Sequence, residues 1–229
     1  MKIILYIACL IMIFGCTDVE KTILLPKIQD AFVNEITDVS PAYIFYDITK
    51  KDSLELNRNN LISTTNWLIN VDKRHKLNKA IPSIVVLQNK KRDAKMHKNE
   101  SARNYFTCND ISKQTLGFID FTEVYYKFEA MNSYISNLGI NDSINEKVVI
   151  EFNPENEINI YYPSQHQLKF KGNLNEILEK EVFKNAQSDM IYLAFNGNLS
   201  FQEYITAKRK IEVFSENKVT IANTEYIIN

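Results

Sequence analysis

The sequence predicts an α+β fold, a mixed sheet with helices packed on it that divides into two small α/β regions, residues 41–146 and 147–229. Short runs rich in β-branched and aromatic residues, such as Ala42–Tyr46 and Met190–Phe195, have the composition of strands. Other stretches space their apolar residues three and four apart, the period of a helix face. From Val148 onward the two kinds follow one another as β, β, β, α, β, α, β, β, the order of a mixed α/β layer. With 45% hydrophobic and 11% aromatic residues among 229, the chain has enough apolar material for a sizeable core.

Taken in order, Ile23, Leu24, Ile28, Phe32 and Ile36 stand at helical spacing and predict a short amphipathic helix, limited in its first turn by Pro26. Ala42–Tyr46 predicts the first strand. In Asn57–Val71, Leu61, Ile62, Trp67, Leu68 and Ile69 mix with Ser63, Thr64 and Thr65, an ambiguous period with a helix favoured over a strand. Pro82 before Ile84–Leu87 predicts a helix start. Leu116–Ile119 is a short apolar run, followed by Val124, Phe128, Met131, Ile135 and Leu138 as one helix face. Asp120 with Glu123 has the form of a capping box for that helix, and Gly139 stands where it would stop.

The second region reads through its turns. Asn153-Pro154-Glu155-Asn156 is turn chemistry between strands Val148–Phe152 and Ile158–Tyr162, and Gln167–Phe170 predicts a third strand. Asn173 and Glu176 are placed to cap a helix carrying Leu174, Ile177, Leu178, Val182 and Phe183. Asn196-Gly197 closes the strand Met190–Phe195. Ser200 and Glu203 form a capping box that opens a helix with Phe201, Tyr204, Ile205 and Ile211 on one face. Val219–Ile221 and Tyr226–Ile228 read as two final strands. Leu116–Gly139 and Met190–Phe214 share a strand-then-helix form, an arrangement common enough to arise by coincidence.

The first fifteen residues, MKIILYIACLIMIFG, carry one charge at Lys2 and then an unbroken apolar run from Ile3 to Phe14, the length of a signal-peptide core and short of a membrane span. Ile13-Phe14-Gly15-Cys16 resembles the bacterial lipobox. That resemblance implies cleavage between Gly15 and Cys16 and lipidation of Cys16, hence a chain held on a membrane by its N-terminal lipid in the bacterial cell envelope. On this reading residues 1–15 are signal and residues 16–40 a lipid-anchored linker with the short helix. Cys9 then belongs to the signal and Cys16 to the anchor. Cys108 remains alone, too few for a disulfide, and reads as a buried or semi-buried structural thiol.

The run from Lys171 to Ala222, with Tyr192, Phe201 and Tyr204 in corresponding positions, resembles the periplasmic domain of the ExbD and TolR biopolymer-transport family. Members of that family keep a membrane-spanning helix with an acidic residue that couples to the proton gradient. Here the N-terminal apolar run holds no Asp or Glu, and Asn196 stands where the family carries Asp. The resemblance implies, for residues 147–229, a periplasmic interaction role without proton coupling.

Lys plus Arg number 27 against 28 Asp plus Glu, a net charge of -1, which argues against a dedicated nucleic-acid binder. The charge is uneven, however. Between Lys73 and Arg103 ten basic residues face only Asp93 and Glu100, and Lys73, Arg74, Lys76, Lys90, Lys91, Arg92 and Lys95 form a candidate patch for an anionic partner. A solvated helix face with its loop is the competing reading of the same residues.

His75, His97 and His166 stand far from one another and from Cys108, without metal-ligand spacing, and no phosphate-binding glycine loop or nucleophile elbow is present. Glu151 and Glu155 lie across a hairpin turn. No catalytic residue, metal or cofactor is expected. Three classes stay open: a non-catalytic lipoprotein binding another envelope component, an envelope enzyme acting on glycan or peptidoglycan through an unrecognised site, and an immunity or accessory lipoprotein.

Overall fold

In the computed structural model, which describes residues 21–94, 99–129, 148–161, 168–172, 174–177, 190–215 and 220–228, burial alternates along the strands with period two. Ser40, Ala42 and Ile44 point inward from Val39–Tyr46 (β2), and Trp67, Ile69 and Val71 from Asn66–Val71 (β4). The first sheet also holds Lys27–Ile28 (β1), Leu54–Asn57 (β3), Asn104–Asp110 (β5) and Thr115–Asp120 (β6). Its order is β1-β5-β4-β2-β3, with β6 also on β5. Strands β2, β4 and β5 run parallel, while β3 and β6 are antiparallel hairpin partners. Leu77–Arg92 (α1) connects β4 to β5.

The second sheet contains Tyr125–Glu129 (β7), Val148–Phe152 (β8), Glu157–Tyr161 (β9), Leu168–Lys171 (β10), Met190–Asn196 (β11) and Thr220–Ile228 (β12). Its order is β10-β9-β8-β11-β12-β7. Leu174–Ile177 (α2) is one described turn before β11, and Phe201–Ser215 (α3) joins β11 to β12. The α+β class is thus realised as two mixed sheets. No helix among the described residues is long and apolar enough to cross a membrane.

The two sheets repeat one plan. A hairpin (β2–β3, β8–β9) is followed by a strand parallel to its first arm (β4, β11), a helix (α1, α3) and a further parallel strand (β5, β12). The same number of residues separates Asn66 from Met190 and Leu77 from Phe201, so strand, loop and helix start correspond residue by residue. The loops that lead into the helices pair with each other. Leu77 N–H donates to Leu199 O at 3.0 Å while Phe201 N–H donates to His75 O at 2.7 Å. Asn78 N–H reaches Gly197 O at 3.0 Å and Gln202 N–H reaches Lys73 O at 3.1 Å. Exchanging each residue for its equivalent reproduces the same four bonds, a pseudo-two-fold relation centred on the Lys76–Ser200 bridge. Helix starts leave amide donors without partners inside the helix. Here each repeat supplies carbonyls to the other's helix.

One core joins the two sheets. Phe106 of β5 stacks on Phe121 at 3.8 Å and 6°, and meets the rings of Phe201 and Tyr204 edge-on at 5.2 and 6.2 Å. Tyr204 also packs edge-on against Phe195 of β11 at 4.9 Å. Its hydroxyl donates to Glu225 of β12 at 2.8 Å and contacts the Tyr126 hydroxyl at 2.9 Å, and Lys208 pairs with the same Glu225.

Several local expectations give way to this packing. Residues 22–36 form no helix: the segment runs extended, β1 pairs with β5, and its donors and acceptors go elsewhere. Ala31 N–H donates to Asp110 Oδ2 at 2.7 Å, Asn109 N–H to Pro26 O at 2.8 Å and Ile111 N–H to Ile28 O at 3.0 Å. Gly117 makes room for it, since a Cβ there would meet Ala31 Cβ at 2.5 Å. The segment 57–71 is strand rather than helix over β4, because Trp67, Ile69 and Val71 supply a buried period-two face.

Helix α1 opens at Leu77, five residues before Pro82; the buried stripe Leu77, Ala80, Ile81, Ile84 and Leu87 outweighs the cost of an internal proline. The helix expected over Val124–Leu138 begins instead as strand β7, parallel to β12, and residues 130–147 lie outside the described residues. Asp120 serves as a turn acceptor for Thr122 N–H and Oγ1 at 2.9 and 2.7 Å. The two final strands are one, β12, with a register shift opposite Ile191 and Leu193. Because β7 belongs to the second sheet, the sheets divide the chain after β6, ahead of the expected boundary at 146. The repeat, in turn, pairs 66–92 with 190–215, not 116–139 with 190–214.

Candidate ligand groove

The duplication allows the two hairpin–helix clefts to be compared. In the first repeat Lys79 of α1 pairs with Asp52 in the β2–β3 turn at 2.8 Å, and this bond holds the Asp52 carboxyl below its ordinary range. At the equivalent position α3 carries Glu203. Its carboxylate turns back onto Ser200, accepting from the backbone N–H at 2.7 Å and the hydroxyl at 2.6 Å, while Glu203 N–H donates to Ser200 Oγ at 3.2 Å. The reciprocal capping box therefore forms as the sequence predicts. It also leaves Glu203 without an ion pair across the cleft, and a space of about 400 Å³, with Glu203 in its wall, lies between α3 and the turn bearing Asn153, Asn156 and Glu157.

A second groove, about 370 Å³, lies across α3 against the β1 segment. Thr206 and Lys210 line both spaces. Ile28, Ile111 and Val213 give the second groove apolar walls, with Lys27 and Asp30 beside them. Gln202 fastens the β1 segment to α3: its Oε1 accepts from Lys27 N–H at 2.8 Å, and its Nε2 donates to Lys27 O at 2.9 Å and Thr206 Oγ1 at 3.1 Å. Arg209 is wall rather than probe. Its guanidinium donates to Gln29 O at 3.2 Å and to Asp30 O, and lies 3.8 Å from the centre of the Phe32 ring. The ammonium groups of Lys27 and Lys210 have no acidic partner among the described residues. Two ammonium groups with no ion pair among the described residues, beside an apolar wall, can take a ligand that carries an acidic group next to an apolar one.

The candidate patch read from the sequence does not assemble as one surface. Lys73, Arg74 and Lys76 precede α1, whereas Lys90, Lys91 and Arg92 end it, about 24 Å away along a 16-residue helix. Arg74 chelates the buried Asp72 through two bonds of 2.8 Å and lies over the Tyr46 ring at 4.4 Å. Lys91 is buried: its Nζ donates to Thr65 O at 3.2 Å, Arg103 O at 2.9 Å and Asn104 Oδ1 at 3.0 Å, and burial pulls its pKa down to about 8. Arg92 donates to Thr122 O and Val124 O at 2.9 and 2.8 Å and stacks over Tyr125. Lys95, Gly15 and Cys16 lie outside the described residues.

Cys108 is fully buried, as expected, and burial pushes its thiol far up. His75 is buried with Nε2 3.1 Å from Phe45 O, and burial lowers its pKa, favouring the neutral ring. Glu151 accepts from Asn153 at 3.0 Å, Asn159 at 2.8 Å and Tyr161 at 2.7 Å, a buried hydrogen-bonded carboxylate. Among the described residues no group of three or more His, Cys, Asp or Glu could hold a metal ion.

Sequence reasoning missed Lys27, Gln202 and Lys210. Gln202, Thr206 and Lys210 recur every fourth residue on the open side of α3, a spacing that reads as an ordinary solvated face. Only the docking of Lys27 across the sheet boundary turns that face into a groove. Comparisons with protein-family models, with curated proteins and with solved structures found no match for this chain.

Proposed function

We propose that this chain is a lipid-anchored lipoprotein of the bacterial cell envelope that binds another envelope component, without catalysis, in the grooves flanking α3. The observation that carries the binding role is the pair of ammonium groups, Lys27 and Lys210, that have no ion-pair partner among the described residues and stand beside the apolar walls of Ile28, Ile111 and Val213. They suit an envelope protein that presents a carboxylate next to an aliphatic or aromatic side chain. The apolar run ending in Ile13-Phe14-Gly15-Cys16 supports the anchorage. The order of hairpin, third strand, helix, strand, helix and strand in residues 148–228 supports, apart from the added strand β10, the kinship with the ExbD and TolR periplasmic domain, and with it an interaction role.

The test is chemical crosslinking in intact cells, followed by recovery of the protein from the membrane fraction and identification of what comes with it. Wild type is expected to bring down one recurring envelope protein, and the Lys27→Glu/Lys210→Glu variant to lose it while remaining folded. Recovery of the same partner in equal amount by that variant would remove the groove from the account. The absence of any recurring partner from wild type would remove the binding role.

A further inference from the structure

The end of the first sheet at which the described chain begins has the composition of a membrane-facing surface. Lys21 pairs with Glu55 of β3, Leu24 N–H donates to Asp72 Oδ2 at 3.1 Å, and Lys73 N–H donates to Leu24 O at 2.8 Å. The chain is therefore pinned where β2 and β4 end. Lys21 stands five positions after Cys16, a reach of at most roughly 18 Å. The β2–β3 turn projects at this same end. At its tip Ile48 is 79% exposed, the most open large apolar side chain among the described residues, and Leu24 is exposed close by.

Charge follows the same layout. Asp52, Glu55 and Asp72 are each matched by a cation, Lys79, Lys21 and Arg74 respectively, while Asp47 accepts from Thr49. Lys50 and Lys51 in the turn, near enough to Asp47 and Asp52 to help lower their pKa values, and Lys73 and Lys76 before α1 all stay out of direct ion pairs among the described residues. An open isoleucine among lysines that outnumber the nearby carboxylates, within reach of a lipidated cysteine, is the combination that holds a domain against an anionic leaflet: the acyl chains anchor, the lysines meet lipid phosphates, and the apolar tip enters the interface.

We infer that the β2–β3 turn seats on an anionic phospholipid surface, with Ile48 in the headgroup region and Lys50, Lys51, Lys73 and Lys76 on lipid phosphates. The seating rests on lipidation of Cys16. It fixes the orientation of the protein, with the Ile48 end of β2 and β4 toward the bilayer and the opposite end, where Ile62 is exposed, toward the aqueous phase.

The two isoleucines give a matched test. Full-length Ile48→Cys and Ile62→Cys, purified from bacterial membranes, are labelled with a polarity-sensitive thiol dye; the buried Cys108 stays unlabelled. Each is reconstituted into vesicles of phosphatidylglycerol and phosphatidylethanolamine, with and without a lipid-borne quencher, and its intact mass is recorded. The dye at position 48 is expected to shift to the blue and lose most of its emission to the quencher, while the dye at 62 keeps its aqueous spectrum. Adding Lys50→Glu and Lys51→Glu should return the dye at 48 to water. An acylated protein in which both dyes report water overturns the seating and leaves the anchor standing. A mass showing residues 1–15 retained on an unacylated chain overturns the anchor and the seating together.

Discussion

A substitution in the second sheet, read by a probe in the first, tests whether the repeats share one core. Phe195 of β11 is fully buried, stacked on Phe152 at 5.0 Å and edge-on to Tyr204 at 4.9 Å. Truncation to Ala empties that space at a cost of about 3–5 kcal/mol. At 2–4 °C per kcal/mol for a chain of this size, a loss of about 4 kcal/mol lowers Tm by roughly 8–16 °C.

The single tryptophan, Trp67, lies in β4 of the other sheet, buried, with its indole N–H donating to Ile62 O at 2.7 Å. If Tyr204, Phe106 and Phe121 transmit packing as one cluster, the Trp67 fluorescence transition in Phe195→Ala falls by the same amount as the circular-dichroism transition. A Trp67 transition left at the wild-type temperature, with only part of the dichroism lost early, would refute the shared core and make the repeats independent units.

Two other perturbations address polar groups inside the fold. Lys91→Met leaves Thr65 O, Arg103 O and Asn104 Oδ1 without their donor, and calorimetry should find a loss of about 1–3 kcal/mol at neutral pH. Because the folded-state pKa of Lys91 is pulled down to about 8 from 10.5, the unfolded chain binds more protons between those values. The stability of wild type relative to Lys91→Met should therefore rise as pH goes from 8 to 10.5, and a flat difference would contradict the burial of the ammonium. Asp110 accepts from Ala31 N–H, Ser112 N–H and Oγ, and Lys113 N–H; these bonds outweigh the upward pull of desolvation and hold its carboxyl at about 2. Its contribution is full above the ordinary value near 3.8 and is lost as pH falls through about 2. Limited proteolysis at acid pH should cut the β1 segment first, and Asp110→Asn should show the same cleavage at neutral pH.

Features that depend on a few neighbouring residues were legible in the sequence. The Ser200–Glu203 capping box, the Asn153–Asn156 turn and the β11 run closed by Asn196-Gly197 all formed where their chemistry placed them. Helical spacing misled where other parts of the chain took the backbone bonds. Ile23, Leu24 and Ile28 share a helix-like period, but Asp110, Asn109 and Ile111 hold that segment extended along β5. Val124 and Phe128 likewise looked like a helix face until β12 supplied a parallel partner for β7.

The duplication was concealed because equivalent positions keep burial and not identity: Trp67 matches Ile191, Leu77 matches Phe201 and Lys79 matches Glu203. That last exchange leaves an ion pair across one cleft and a capping box beside the other. The groove itself joins Lys27 to Lys210, residues nearly a whole chain apart, and no local pattern announces such a meeting.

The proposed anchorage turns on what stands at the N-terminus of the protein in the membrane. Intact-mass analysis of wild type and Cys16→Ala, each extracted from the bacterial membrane fraction, measures it directly. The prediction is a wild-type chain that lacks residues 1–15 and carries acyl chains on Cys16, with Cys16→Ala unacylated and its signal uncut. A wild-type mass equal to all 229 residues with a free Cys16 would contradict the lipoprotein reading.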